Sequence, residues 1–326
     1  MKINITHHDK LDLIEVENDK SLKLSLTDLG AGIYKIESHG AIVNYGPKDL
    51  DVYALPNNYF GKTIGRFAGR IKGANWNGIQ FPANENSNLL HSGKYGLHDK
   101  RFNYRTEECK DYIKVVFSTT DSGKRSLFPG KFSLRVVYKI YKDVDKIELT
   151  FRTVCTEDCI VNLTNHAYYC LGSESLNDLK MKINAPYYVA VDNELIPTEV
   201  KPVDKVFDFR TSKRVTRDIY DKSLQEATSS GYDHLFIFDS INAAKPQLIL
   251  KNKDLRMRIY TDFAAIQFYS NCYPGNFENL HGKKDALYLA AALEPQFNTF
   301  NIENTLQKAG EVRKNRIVYV FDSIEK

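Results

Sequence analysis

An all-β fold is predicted by three observations: period-two alternation along most of the chain, turn chemistry that punctuates it, and little helical periodicity. Alternation marks a strand because successive side chains point to opposite faces of a sheet. Leu22, Leu24 and Leu26 alternate with Ser21, Lys23 and Ser25, which sets an early strand. The turn Asn77-Gly78 has the composition of a tight hairpin connection. Phe128-Pro129-Gly130 then precedes one of the cleanest apolar faces in the chain, Phe132, Leu134, Val136, Tyr138 and Ile140. Lys142 to Lys146 turns the chain, and Ile147, Leu149 and Phe151 repeat the pattern, so an antiparallel hairpin is expected. Thr216 to Ala227 reads as a short helix, stopped by Ser229-Ser230-Gly231. Leu255, Met257, Ile259 and Thr261, followed by Ala265 to Tyr269, suggest a further strand pair. Tyr273-Pro274-Gly275-Asn276 is a turn, and Arg316 to Phe321 forms a last strand. Strands so spread, with no repeat or composition break, predict one domain over residues 1–326, an antiparallel β-sandwich of two large sheets with few short helices.

Composition agrees and narrows the function. The chain of 326 residues has 20 Tyr and 18 Phe, types that suit a half-buried pleated surface. A net charge of +4 comes from interspersed charges, without the basic stripe that a nucleic-acid reader needs. The apolar run Ala286 to Leu293 is too short to span a bilayer, so no membrane partner is expected. The first residues, Met1 to His8, have no apolar stretch of the secretory kind. Five irregularly spaced cysteines, Cys109, Cys155, Cys159, Cys170 and Cys272, then read as reduced structural thiols of a cytoplasmic protein. Cys155 and Cys159 have no second Cys/His pair at metal-site spacing, so no metal is expected.

Phosphate loops, nucleophile elbows and zinc helices are missing, which leaves a scattered polar set. Gly65-Arg66-Phe67-Ala68-Gly69-Arg70-Ile71 carries two arginines among glycines, where backbone and guanidinium can both approach a ligand. His91 ends an apolar pair and enters the loop Ser92-Gly93. His166 sits in Asn162-Leu163-Thr164-Asn165-His166-Ala167-Tyr168-Tyr169, and Asp233 opens a hydrophobic strand. Glu294 follows the apolar run Leu289 to Leu293 and precedes Pro295, so it belongs on or beside a strand. A carboxyl placed there is desolvated, which raises its pKa and makes it a better base near neutrality. Each residue also has a structural reading: loop hydrogen bonds for Arg70, satisfied histidines for His91 and His166, a turn for Asp233.

Taken in order, these segments resemble the aldose 1-epimerase (galactose mutarotase) family from about Leu22 to Phe321. The resemblance rests on Asp28-Leu29-Gly30-Ala31-Gly32-Ile33, the arginine segment, Leu90-His91-Ser92-Gly93, Phe128-Pro129-Gly130 with its strand, and the segments around His166, Asp233 and Glu294-Pro295-Gln296. It implies a β-supersandwich that interconverts the α and β anomers of a free hexose such as glucose or galactose, without a cofactor. By position, Glu294 would be the general base and His166 the general acid, with Arg70, His91 and Asp233 binding the sugar. On this scheme His166 starts protonated, a charge that the Glu294 and Asp233 carboxylates would favour. The family leaves a monomer or a homodimer open. Ser92 stands where a second glycine is common, Cys170 where asparagine is usual, and a proline typical after Gln296 is missing.

Three other readings compete. A hexose-6-phosphate 1-epimerase would need cations for the phosphate, which Arg66, Lys62 and Lys94 could supply. A glycoside hydrolase would use Asp233 and Glu294 as its carboxylate pair and leave His166 without a task. A non-catalytic carbohydrate-binding protein would have no need of a base opposite an acid.

Overall fold

In a computed structural model, residues 1–228, 231–241, 244–271 and 273–324 are described, less the side chains of 225–227. Ser229, Ser230 and Cys272 therefore lie outside the described residues. Among the rest, strands dominate, and all the pairings within the sheets are antiparallel.

A nine-stranded sheet runs Asn103–Glu108, Tyr112–Asp121, Phe132–Tyr141, Lys146–Cys155, Arg313–Ser323, Leu255–Thr261, Leu248–Lys251, Lys180–Ile183 and Lys213–Arg214. The expected hairpin is there in register, with Val136 opposite Phe151 and Ile140 opposite Ile147. Facing it is a seven-stranded sheet in the order Pro197–Pro202, Tyr187–Val191, Asp233–Ile237, Ala265–Tyr269, Ala291–Gln296, Tyr168–Tyr169 and Asn44–Tyr45. The apolar faces pack on each other; Tyr169 of one sheet lies 5.7 Å from Tyr319 of the other, ring centre to ring centre. A five-stranded sheet from Lys2 to Ile42 adds Leu24, Leu26 and Ile36 to the same core.

Two expectations need correction. Leu255–Thr261 and Ala265–Tyr269 are both strands, but they do not pair. The first bonds to Arg313–Ser323 and the second to Asp233–Ile237 and Ala291–Gln296. Between them Phe263 is buried against Phe151 and Phe297, so the chain turns a corner from one sheet to the other. Alternation reports that a strand is half-buried and says nothing about which strand lies beside it. The helix is also shorter than expected, Lys222–Thr228, because the Asp221 carboxylate accepts from the Ser223 N–H at 3.0 Å and sets its start there. Residues 215–220 form turns. A four-residue helix, Leu50–Tyr53, capped by Asp49, was not anticipated. No helix among the described residues is long and apolar enough to cross a membrane.

At Asn77-Gly78 both residues have positive φ, 54° and 80°, and join Trp76 to Ile79 in the hairpin geometry that this dipeptide favours.

Candidate active site

The seven-stranded sheet turns one face to the core and the other to a cleft of about 600 Å³. Period two divides its residues. His234, Phe236, Ile266, Phe268 and Leu293 point into the core, while Asp233, Leu235, Gln267, Tyr269 and Glu294 line the cleft. Register puts Gln267 directly opposite Glu294 on one side and Leu235 on the other. Glu294 is thus fixed in the middle of a continuous sheet, where its side chain is only 3% exposed.

His166 comes from outside that sheet. The preceding pair Thr164–Asn165 bonds to Thr63–Ile64. The Asn165 amide donates to the Gly61 carbonyl at 2.6 Å, the Gly61 N–H donates to the His166 carbonyl at 2.9 Å, and the His166 N–H donates to the Lys62 carbonyl at 2.9 Å. Gly61 has φ +67°, and a Cβ there would run into the Ile33 carbonyl, so the position requires glycine. This mesh brings His166 Nε2 to 3.4 Å from Glu294 Oε1. Asn162 ties three of the sequence segments together: its amide donates to the Ala68 carbonyl and to Gln296, and its oxygen accepts from the Phe297 N–H.

The other three candidates converge on the same cleft. Arg70 makes a two-point contact with Glu85, at 2.5 and 3.0 Å, and its Nη1 lies 3.5 Å from Asp233 Oδ2. Asp233 Oδ1 accepts from Gln267 Nε2 at 2.6 Å. His91 Nδ1 accepts from the Gly69 N–H at 3.1 Å, so in the neutral ring the proton sits on Nε2, which becomes a donor. The ring of Tyr59 lies within 4.9 Å of His91 and 5.8 Å of His166, and Tyr168 within 5.1 Å of His166, centre to centre.

Sequence reasoning missed Gln267, Glu85 and Tyr59. Gln267 carried a signal: it is the polar residue in Ala265–Tyr269, out of phase with Ile266 and Phe268, and so belongs to the face that does not meet the core. Glu85 and Tyr59 are loop residues without such a signature.

Burial governs the charges. It pushes the Glu294 carboxyl well above the usual range, and the Asp233 carboxylate adds to this while Arg70 opposes it. Burial also lowers His166, to about 4, with the nearby His98 acting in the same direction. This corrects the expectation that neighbouring carboxylates keep His166 protonated. Asp233 is committed to Arg70 and Gln267, and the buried Glu294 holds its own proton more tightly, so no full negative charge faces the imidazole. The His166 Nδ1 meets no other side chain among the described residues, and the ring's own backbone offsets its burial only in part. His91 is held well below its ordinary value by burial, with His166 and Arg70 contributing, which keeps the ring neutral. Asp233 is raised by burial, against the opposing pull of Arg70 and Gln267.

The departures noted in the sequence fall beside the site. Ser92 Oγ accepts from the Phe67 N–H at 2.8 Å and donates to its carbonyl at 3.2 Å, steadying the arginine loop. Cys170 is buried, with its sulfur 3.2 Å from His281 Nε2 and 3.5 Å from the Asn44 carbonyl oxygen.

The antiparallel β-sandwich, with its cleft on the outer sheet face and a buried carboxyl–imidazole pair at the floor, has the galactose mutarotase-like fold. The fold is that of a galactose 1-epimerase crystal structure from Lactobacillus acidophilus, with a TM-score of 0.90 over 99% of both chains at 23% identity. A homologue from C. elegans superposes with a TM-score of 0.83 at 23% identity, over 97% of this chain and all of that one. The sequence model of the aldose 1-epimerase family matches residues 12–320. The chain is 32% identical to an aldose 1-epimerase of Haemophilus influenzae, covering 87% of this chain and 86% of that protein. It is 30% identical to the human galactose mutarotase, over 74% of this chain and 70% of that protein. The chain belongs to the aldose 1-epimerase family.

Proposed function

We infer that the protein is an isomerase that interconverts the α and β anomers of a free aldohexose, with Glu294 and His166 as its acid–base pair. The observation that carries the reading is the 3.4 Å approach of His166 Nε2 to Glu294 Oε1 at the floor of a cleft lined by Arg70, His91 and Asp233. Ring opening must remove the proton of the anomeric hydroxyl and deliver one to the ring oxygen. A pair that shares one proton can do both. Burial favours that proton on the carboxyl; passed to His166, it leaves Glu294 as base and His166 as acid. Glu294 then takes the O1 proton while His166 protonates O5, and the C1–O5 bond breaks to give the open aldehyde. Rotation about C1–C2 presents the other face of the carbonyl. O5 attacks it, returns its proton to His166, and O1 recovers a proton from Glu294. His91 Nε2–H and Arg70 donate to sugar hydroxyls, Asp233 accepts from one, and Tyr59 and Tyr168 offer faces to ring C–H groups.

The rival readings lose their residues. Of the three cations suited to a phosphate, Arg66 is buried and donates to Asp121 and to the Pro129 and Gly130 carbonyls. Lys62 is wholly buried, 4.0 Å from Asp99, and Lys94 is exposed outside the cleft. Asp233, engaged through both oxygens, is set as a hydrogen-bond acceptor and not as a glycosidase nucleophile. We read the chain as one domain, since the nine-stranded sheet draws on residues 103 to 323. We place it in the cytoplasm, with support from the unpaired Cys109, Cys155, Cys159 and Cys170.

Polarimetry of freshly dissolved α-D-glucose and α-D-galactose tests the assignment. Wild type should speed relaxation. Glu294→Gln and His166→Asn should each lose about 10²- to 10⁴-fold, the usual worth of a positioned acid or base. A Glu294→Gln protein as active as wild type removes Glu294 from the base role.

A further inference from the structure

The turn Tyr273-Pro274-Gly275-Asn276 lies in the long connection between Ala265–Tyr269, which carries Gln267, and Ala291–Gln296, which carries Glu294. Gly275, Asn276 and Phe277 form part of the cleft wall. Most of this connection is exposed, but Asp285 near its end is buried. The Asp285 carboxylate accepts from three uncharged donors. The Tyr45 hydroxyl and, at 3.4 Å, the Asn271 amide meet Oδ1, and the Gly275 N–H meets Oδ2 at 2.6 Å. No cation pairs with it among the described residues; Lys283 bonds to Glu174 instead. A carboxylate buried in this way loses its hydration, and only donors held in fixed places offset the loss.

Both ends of this grip reach the aromatic side of the cleft. Tyr45 lies directly opposite Tyr168 on neighbouring strands. Its hydroxyl accepts from the Asn279 amide at 3.2 Å, so its own proton is directed at Asp285. Its ring centre is 6.2 Å from that of Phe60 and 6.5 Å from that of Phe277. Phe277, two residues after Gly275, meets Phe60 at 5.3 Å; Phe60 meets Tyr168 at 4.5 Å, and Tyr168 meets His166 at 5.1 Å.

We propose that Asp285 is a positioning residue for the acid–base pair: by fixing Tyr45 and Gly275 it closes the wall of Phe277, Phe60 and Tyr168 beside His166 and keeps water from the imidazole. Its effect on catalysis rests on the mutarotase reading above. The ionisable groups that face His166 are Glu294, His91, Tyr59 and Tyr168, with His98 farther off. Those around Asp285 are Tyr45 and, stacked on its ring, His281, whose Nε2 meets Cys170. No hydrogen bond joins the two groups among the described residues, so Asp285 acts on His166 through the packing of the wall. The sign of the effect separates this from a direct field. Removing a negative charge alone lowers the proton affinity of an imidazole, whereas admitting water to a buried one raises it.

Two variants test the role, Asp285→Ala and Tyr45→Phe; the second keeps both the ring and the carboxylate. NMR titration of the His166 imidazole reads its proton affinity directly, and polarimetry with α-D-glucose reads the consequence. In Asp285→Ala the midpoint should climb from about 4 towards about 6, close to a hydrated histidine. A midpoint of about 6 lowers kcat/KM about tenfold at pH 5 and less than about twofold at pH 7.5, because the second proton then occupies the pair at the lower pH. Tyr45→Phe should raise the affinity about threefold, since the Gly275 N–H still holds Asp285. A midpoint that stays or falls in Asp285→Ala, even in a protein that melts lower, overturns the proposal and leaves Asp285 as a staple of the connection. Should that variant not fold, an unmoved midpoint in Tyr45→Phe overturns it equally. If wild type speeds the relaxation of no sugar, the mutarotase reading falls, while the His166 midpoint still decides whether Asp285 shields the imidazole.

Discussion

Among the described residues the Gln267 side chain bonds to Asp233 and to neither member of the acid–base pair, yet its replacement should disable sugar binding. Its amide donates to Asp233 Oδ1 at 2.6 Å, a bond to a carboxylate whose side chain is 12% exposed. Gln267→Met keeps the length and bulk of the side chain and removes the donor. Hydrogen bonds to charged groups contribute about 1.5–3 kcal/mol. At 1.36 kcal/mol per factor of ten, the loss is about tenfold to about 150-fold in kcat/KM if the bond holds Asp233 in its sugar-binding pose. The effect should also depend on pH. Burial already raises Asp233, and Gln267 is one of two groups that restrain it. Without the amide, Asp233 takes up a proton at a higher pH, so the deficit of the variant deepens as pH falls from 7 towards 5. Polarimetry with α-D-glucose at both ends of that range, beside a thermal melt, measures both parts. A Gln267→Met protein that melts like wild type and keeps kcat/KM within twofold at both pH values would refute the argument that Asp233 works through its alignment.

The pH profile of kcat/KM should be a bell with limbs that belong to the coupled His166–Glu294 pair. Its acid limb falls as the pair takes a second proton, near the lowered His166 value of about 4, and its alkaline limb falls as the raised Glu294 loses the last one; a sharp limb near 6.5 would place an ordinary histidine in control. Arg66→Leu should cost about 1–3 kcal/mol of stability, because it leaves the Pro129 and Gly130 carbonyls without their donor and Asp121 with only the Lys100 and Ser126 side chains as partners, while the folded fraction keeps its KM; a change in KM at unchanged stability would put Arg66 in the site instead. Gly61→Ala forces a side chain at φ +67° against the Ile33 carbonyl and shifts the mesh that holds His166, so kcat should drop, on the order of a hundredfold for a displacement near 1 Å, with KM less affected. Wild-type kcat in Gly61→Ala would show that His166 is positioned by other means.

The strands were legible because the sheets are half-buried: Phe132 to Ile140 and Ile147 to Phe151 alternate so regularly that even their hairpin follows from the sequence. Partner choice was not legible even where only a few residues join two strands. Leu255–Thr261 and Ala265–Tyr269 look like a pair and lie in different sheets, because the three residues between them turn a buried corner around Phe263. The five candidate site residues were visible as polar intrusions in apolar or glycine-rich stretches, and all five line one cleft. No local spacing joins them; the Asn162 amide and the Gly61 mesh do so, through contacts across about a hundred residues. The charge of His166 was misjudged for a related reason. Sequence places carboxylates near it in kind, whereas the sign of its shift depends on how completely water is excluded and on what Nδ1 touches.

A buried pair that shares one proton suits a reaction without net chemistry. If a second carboxylate at Nδ1 raised the proton affinity of His166, it would be a poorer acid when the ring opens and O5 must receive its proton. If Glu294 lay in water, its low proton affinity would leave the anomeric hydroxyl unassisted. Burial raises the carboxyl and lowers the imidazole, which reverses their order in water and favours the shared proton on Glu294. Mutarotation needs both groups to give and to take a proton, because the opening of one anomer is the closing of the other run backwards. The aromatic rings around His166 thus act on the chemistry as well as on the sugar: by keeping water from the imidazole they bring its proton affinity down towards a value that the glutamate can answer.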